Sequence, residues 1–150
     1  MDVDGILTDG TVTLLSDGTE AKTFSILDGM GLVRCRNAGI VLAWISGRAS
    51  AATDLRAGEL KIPYVVQGRA DKLVVLQELA GRLGLSAAEI CYMGDDELDV
   101  PALQWAVIGA TVSTAMPAAI AAAGYVALRP AGRGAVREVC DHILAVSRVL

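Results

Sequence analysis

Short apolar runs alternate along the chain with stretches patterned for helices, and turn residues separate the two. Thr11 to Ile26, "TVTLLSDGTEAKTFSI", places two β-rich runs around the turn pair Asp17-Gly18 and predicts a β-hairpin. Asp28 is the expected cap of a helix reaching about Asn37, and Gly39 ends it before the apolar run "IVLAWI" at Ile40 to Ile45, a buried strand. A helix from about Ser50 to Leu60, a strand at "YVVQG" and a helix from a cap at Asp71 to about Leu83 follow. Then come "EICYMG" as a strand, "ELDVPALQ" as a short helix, "AVIGATV" as a strand, "MPAAIAAAG" as a helix, "YVAL" as a last strand, and a C-terminal helix from about Ala135. This alternation predicts an α/β fold, a Rossmann-like parallel sheet with helices on both faces, whose chemistry gathers at the carboxyl ends of the strands.

The composition, 53% hydrophobic but only 4% aromatic, suits helices packed on a buried parallel sheet. Its 150 residues predict one domain over positions 1–150. A formal net charge of -4 and the lack of a Lys/Arg-rich run give no attraction for nucleic acid. No apolar run is long enough to span a bilayer, and nothing at the N-terminus reads as a signal peptide, so no membrane partner is expected. Cys35, Cys91 and Cys140, odd in number and set in apolar stretches, read as reduced core thiols and predict a cytoplasmic location. Trp44 and Trp105 read as core or interface residues, and His142 as a surface residue.

Candidate chemistry starts at "DVDG". Side chains two apart in an extended segment face the same way, so Asp2 and Asp4 can share one pocket. Two adjacent carboxylates repel unless a cation lies between them or one keeps a proton; an ionised aspartate can then attack while a protonated one serves a leaving group. Asp and Gly are also ordinary turn residues. A second cluster, Asp95, Asp96 and Asp99 in "GDDELD", follows the strand "EICYM". One aspartate there would suit a helix cap, whereas hard oxygen ligands at two strand ends suit Mg²⁺. Ser46 and Gly47 in "ISGR" can offer hydrogen bonds to phosphate, and Lys72, at a helix start, a point positive charge.

These four segments in this order, "DVDG", "ISGR", Lys72 in "RADKL" and "GDDELD", resemble the motifs of the haloacid dehalogenase superfamily phosphatases, and the resemblance covers the entire chain. With "TDG" at Thr8 to Gly10, "YVVQGRADK" and "GRGAVREVC", the chain is similar to the minimally capped branch that includes the 3-deoxy-D-manno-octulosonate 8-phosphate phosphatases. The resemblance implies a hairpin in place of a cap domain and an aspartyl-phosphate formed on Asp2, with Asp4 as general acid and then base. It implies Mg²⁺ held by Asp2, the Asp4 carbonyl and Asp95, with Asp96 and Asp99 ordering metal-bound water and the loop. Ser46 and Lys72 would steady the phosphoryl oxygens, and Gly47, Arg48, Arg56 and Arg133 would line the place of a phosphorylated sugar acid. It further implies a homotetramer and a role in lipopolysaccharide precursor synthesis. Leu27 stands where those phosphatases usually carry arginine, which opens a nonulosonate phosphate or another phosphosugar as alternative substrates; a non-catalytic tetramerisation module is the alternative of a different class. Relatives carry a short apolar strand ahead of the first aspartate, so the N-terminal strand is expected to be truncated here.

Overall fold

The computed structural model describes residues 1–146. A hairpin of two short antiparallel strands, β1 (Thr13–Leu14) and β2 (Glu20–Ala21), precedes helix α1 (Ile26–Asn37). Then follow β3 (Ala43–Ser46), α2 (Ala51–Leu60), β4 (Tyr64–Gln67), α3 (Lys72–Leu83) and β5 (Cys91–Met93). One 3-10 turn over Ala87–Glu89 precedes β5 and another over Glu97–Asp99 leads into α4 (Val100–Trp105), and β6 (Ile108–Val112), α5 (Pro117–Ala122), β7 (Tyr125–Ala127) and α6 (Ala135–Val146) complete the order.

The α/β alternation read from the sequence is present, with local shifts that have physical causes. Helix α1 is capped by Ser25, whose Oγ accepts from the amides of Leu27 and Asp28; the expected cap, Asp28, lies in the first turn and is spent elsewhere. Asp71 holds the cap position of α3 but makes no capping bond, because Arg69 engages its carboxylate. The hairpin is present, although each paired strand is only two residues long.

β3 pairs with β4, and β5 with β6 and β7, all in parallel. The backbone of Met1 and Asp2 bridges the two groups. The Met1 amine donates to the Ala43 carbonyl at 2.9 Å, the Ile45 amide to the Met1 carbonyl at 2.9 Å, and the Asp2 amide to the Met93 carbonyl at 2.8 Å. Asp2 is thereby fixed between the carboxyl ends of β3 and β5. An apolar groove of about 430 Å³ is lined by Met1, Ala43, Leu76, Cys91 and Ile143 among others, and by none of the aspartates.

Val3, Ile6, Trp44, Ile45, Tyr92, Met93, Leu103 and Val112 are all buried around the bridge, each large side chain contributing roughly 1.5–3 kcal/mol. Helices group as α1 with α2 and α6, and as α3 with α4 and α5. Gly31 permits the close approach of α1 to α6, since a Cβ there would lie 3.0 Å from the Arg137 Cα. Among the described residues no helix is long and apolar enough to cross a membrane.

Candidate active site

Asp2, Lys72, Asp95 and Asp99 converge at the carboxyl ends of the central strands. Asp2 follows the bridge, Lys72 opens α3 beyond β4, and the two later aspartates flank the turn after β5. Carboxylate oxygens of Asp2, Asp95 and Asp99 all lie within 4.8 Å of one another. The Lys72 ammonium, itself buried, sits 3.1 Å from Asp2 Oδ1 and 2.7 Å from Asp99 Oδ1.

Asp99 is fully buried and organises its surroundings. Its Oδ1 accepts from Lys72 and from the Tyr92 hydroxyl at 2.6 Å, and its Oδ2 accepts from the amides of Asp95 and Asp96, both at 3.1 Å. These bonds set the turn that presents Asp95. Gly94 is required there because a Cβ would come within 2.3 Å of Asp99 Cγ, and Thr111 donates to the Gly94 carbonyl at 2.6 Å. Across the site, Gly5 adopts a φ of 84°, and a Cβ on it would fall 2.0 Å from Asp95 Oδ2.

Three carboxylates with one lysine leave excess negative charge in a buried place. Burial first, then the Asp99 charge, raise the Asp2 pKa to about 6 against the opposing pull of Lys72. Burial, followed by the charges of Asp2 and Asp99, raises Asp95 to about 7. Burial disfavours the Lys72 ammonium, but Asp2 and Asp99 outweigh it and hold its pKa above the ordinary value. Asp95 Oδ1 is buried with no hydrogen-bond partner. An orphaned, buried carboxylate oxygen beside two more hard oxygen donors fits a divalent cation such as Mg²⁺, which would offset both the burial and the repulsion that raise the two pKa values.

The remaining sequence-predicted residues fall into two groups. Ser46 is buried at the end of β3 beside Gly47, where its Oγ accepts from the Arg48 amide at 3.2 Å. Asp4 follows two residues after Asp2 and is partly buried. The exposed Arg48 reaches the hairpin, pairing with Glu20 at 2.9 Å. Arg133 is exposed on the loop before α6, and that loop docks on the first motif through a 3.0 Å bond from the Gly132 amide to the Ile6 carbonyl. By contrast, Asp96 is exposed and caps the turn by accepting from the Glu97 amide at 2.6 Å, outside the carboxylate cluster. Arg56 is tied down, donating to the Ser25 carbonyl at 3.2 Å and to Glu59 at 2.7 Å. Leu27 is half exposed on the first turn of α1.

Sequence reasoning missed Tyr92, Asp28 and Lys22. The buried Asp28 accepts from the amides of Gly134 and Arg137, at 3.2 and 2.9 Å, and so caps α6 from a distant helix. Lys22 pairs with Asp4 at 2.7 Å. The available signal for Lys22 was the alternation in "EAKTF", where Glu20, Lys22 and Phe24 are more buried than Ala21 and Thr23.

A parallel α/β sheet that gathers aspartates, a lysine and a serine at its strand ends defines a carboxylate-based hydrolase site. The family profile described as haloacid dehalogenase-like hydrolase matches residues 59–139, and the chain belongs to that family. It is 36% identical to 3-deoxy-D-manno-octulosonate 8-phosphate phosphatase KdsC of Escherichia coli (strain K12), over 96% of this chain and 77% of that protein. Identity to the Yersinia pestis protein of the same name is 38%, over 95% and 76%. A crystal structure of 3-deoxy-D-manno-octulosonate 8-phosphate phosphatase from Moraxella catarrhalis, in complex with a magnesium ion, a phosphate ion and a KDO molecule, superposes with a TM-score of 0.95 at 44% identity, covering 97% of this chain and 83% of that one. The cobalt-bound deoxy-D-mannose-octulosonate 8-phosphate phosphatase of Haemophilus influenzae gives a TM-score of 0.92 at 33% identity, over 96% and 84%.

Proposed function

We propose that this chain is a magnesium-dependent phosphomonoesterase, one domain over residues 1–150, that hydrolyses 3-deoxy-D-manno-octulosonate 8-phosphate in the cytoplasm as a step of lipopolysaccharide precursor synthesis. The observation that carries the reading is the buried cluster of Asp2, Asp95 and Asp99 with Lys72 set between two of them. The named relatives act on that sugar acid phosphate, and the chain spans most of their length.

Asp2, the Asp4 carbonyl and Asp95 would hold Mg²⁺, which supplies positive charge against the crowded carboxylates and the phosphoryl oxygens. Asp2 attacks phosphorus and forms an aspartyl-phosphate; Asp4 protonates the leaving sugar oxygen and afterwards takes a proton from the hydrolytic water. Lys72 and the Ser46 hydroxyl steady the transferring phosphoryl group, with Gly47 leaving open space beside them. Asp99 keeps Lys72 and the Asp95 turn in place, and Asp96 stiffens the same turn. The exposed guanidinium groups of Arg48 and Arg133 suit a sugar carboxylate, while Arg56 acts by fixing the start of α1 against α2.

Leu14, Leu15, Ile26, Leu27 and Met30 are exposed on the hairpin and the start of α1, an apolar surface that supports assembly into a homotetramer. Three unpaired cysteines support a reducing, cytoplasmic location. A purely assembling module has no physical use for a buried, unpartnered Asp95 oxygen. Phosphate release with Mg²⁺ from 3-deoxy-D-manno-octulosonate 8-phosphate, measured beside a nonulosonate phosphate and hexose phosphates, tests the reading. Preference for the octulosonate ester supports it; preference for another ester moves the substrate, and the half-exposed Leu27 is then the first residue to replace with arginine.

A further inference from the structure

The hairpin carries a residue that the proposed chemistry has not used. Glu20, Lys22 and Phe24 alternate with exposed neighbours, so their side chains share the inward face of one extended segment. Phe24 stacks on the buried Trp44 with ring centroids 6.4 Å apart, and Glu20 holds Arg48, so both ends of the segment are anchored. Between them the Lys22 side chain is wholly inaccessible to solvent. Its ammonium donates to Asp4 Oδ1 at 2.7 Å and to Thr53 Oγ1 at 3.4 Å. The other carboxyl oxygen, Asp4 Oδ2, is buried and has no partner among the described residues.

The two oxygens of Asp4 are therefore unequal. An oxygen that accepts from a buried ammonium is a poor place for a proton, whereas the unpartnered one is free to exchange it. We propose that Lys22 is a positioning residue that fixes the Asp4 carboxyl through Oδ1 and leaves Oδ2 to move the proton. This rests on the phosphatase reading above. In the first half-reaction an Asp2 oxygen bonds to phosphorus, the phosphorus–sugar oxygen bond breaks, and that oxygen takes the proton from Asp4 Oδ2 to leave as an alcohol. In the second, water attacks the phosphorus on Asp2 and gives a proton to Asp4 Oδ2, and the bond from phosphorus to Asp2 breaks to release inorganic phosphate.

The role separates by leaving group, because an alkoxide needs a proton on departure and a p-nitrophenolate does not. Wild type, Lys22→Met, Lys22→Gln and Lys22→Arg are compared with Mg²⁺ on the octulosonate 8-phosphate and on p-nitrophenyl phosphate, with Mg²⁺ affinity and thermal unfolding as checks on the fold. General acid catalysis contributes about 10²–10⁴-fold, so the ratio of kcat/KM on the alkyl ester to kcat/KM on the aryl ester, which reports the first half-reaction alone, falls by at least about thirtyfold in Lys22→Met, with Lys22→Arg recovering part of it. Lys22→Gln, which keeps an N–H donor, lies between the two. Equal losses of kcat/KM on both esters, or no loss on either, overturn the role of Lys22 while the active wild type keeps the phosphatase reading intact. No turnover of either ester by the wild type overturns both.

Discussion

Removing the metal makes the carboxylate cluster a pH-dependent liability, and the direction follows from its two raised pKa values. Asp2 is raised from 3.8 to about 6 and Asp95 from 3.8 to about 7 in the metal-free protein. Between those limits the folded chain holds protons that the unfolded chain has already released. The stabilisation is complete below the unfolded value of 3.8 and is lost as pH rises through about 6 and then about 7. Each retained proton makes stability fall by up to about 1.4 kcal/mol per pH unit, less for Asp95 because solvent reaches part of it. Asp9, Asp17, Asp71 and Glu89 have pKa values held below the ordinary carboxylate range by hydrogen bonds, so they titrate beneath this window. Urea unfolding of the protein in EDTA, followed by tryptophan fluorescence, is expected to show a midpoint that decreases from about pH 4.5 to about pH 6; above that the Met1 amine, its pKa lowered from 8.0 to about 6 chiefly by burial, acts with the opposite sign and offsets the decline. Mg²⁺ binds the ionised cluster, so the stabilisation it adds grows over the same range, and Asp95→Asn flattens the metal-free decline. A metal-free midpoint that stays level or rises between about pH 4.5 and about pH 6 refutes the reasoning.

Other expectations come from single contacts. Gly5→Ala places a methyl group 2.0 Å from Asp95 Oδ2 at a φ of 84°, and calorimetry is expected to show Mg²⁺ affinity reduced at least about tenfold, with a lower melting temperature. Asp28→Ala strands two amides at the start of α6 and should cost about 2 kcal/mol in urea unfolding. Replacing the exposed Leu14 and Leu15 with glutamate leaves the core untouched and, if the proposed homotetramer forms through this surface, shifts sedimentation to smaller species.

The order of strands and helices was legible because parallel strands buried on both faces leave plain apolar runs, as at Trp44 and Ile45. The aspartates and Lys72 were legible as residue types that chemistry needs after successive strands, and the fold brings four of them together. Contacts that depend on distant segments were not. Asp28 has the sequence position of a cap yet serves a helix more than a hundred residues later, which no local pattern can indicate. Lys22 looks like a solvated hairpin residue until the chain folds it under Asp4, and the bonds from Arg56 to Ser25 and Glu59 have no counterpart in the local pattern.

The central claim is that Asp2 is the nucleophile of a magnesium-dependent phosphatase. Its most direct test is rapid acid quench of the chain turning over 3-deoxy-D-manno-octulosonate 8-phosphate with Mg²⁺, followed by mass spectrometry of the N-terminal peptide and the same experiment on Asp2→Asn. The account predicts a transient phosphoryl group on Asp2 in the wild type, and neither that adduct nor phosphate release in the variant. Phosphate release by Asp2→Asn at a comparable rate, or a phosphoryl group on a different residue, contradicts it.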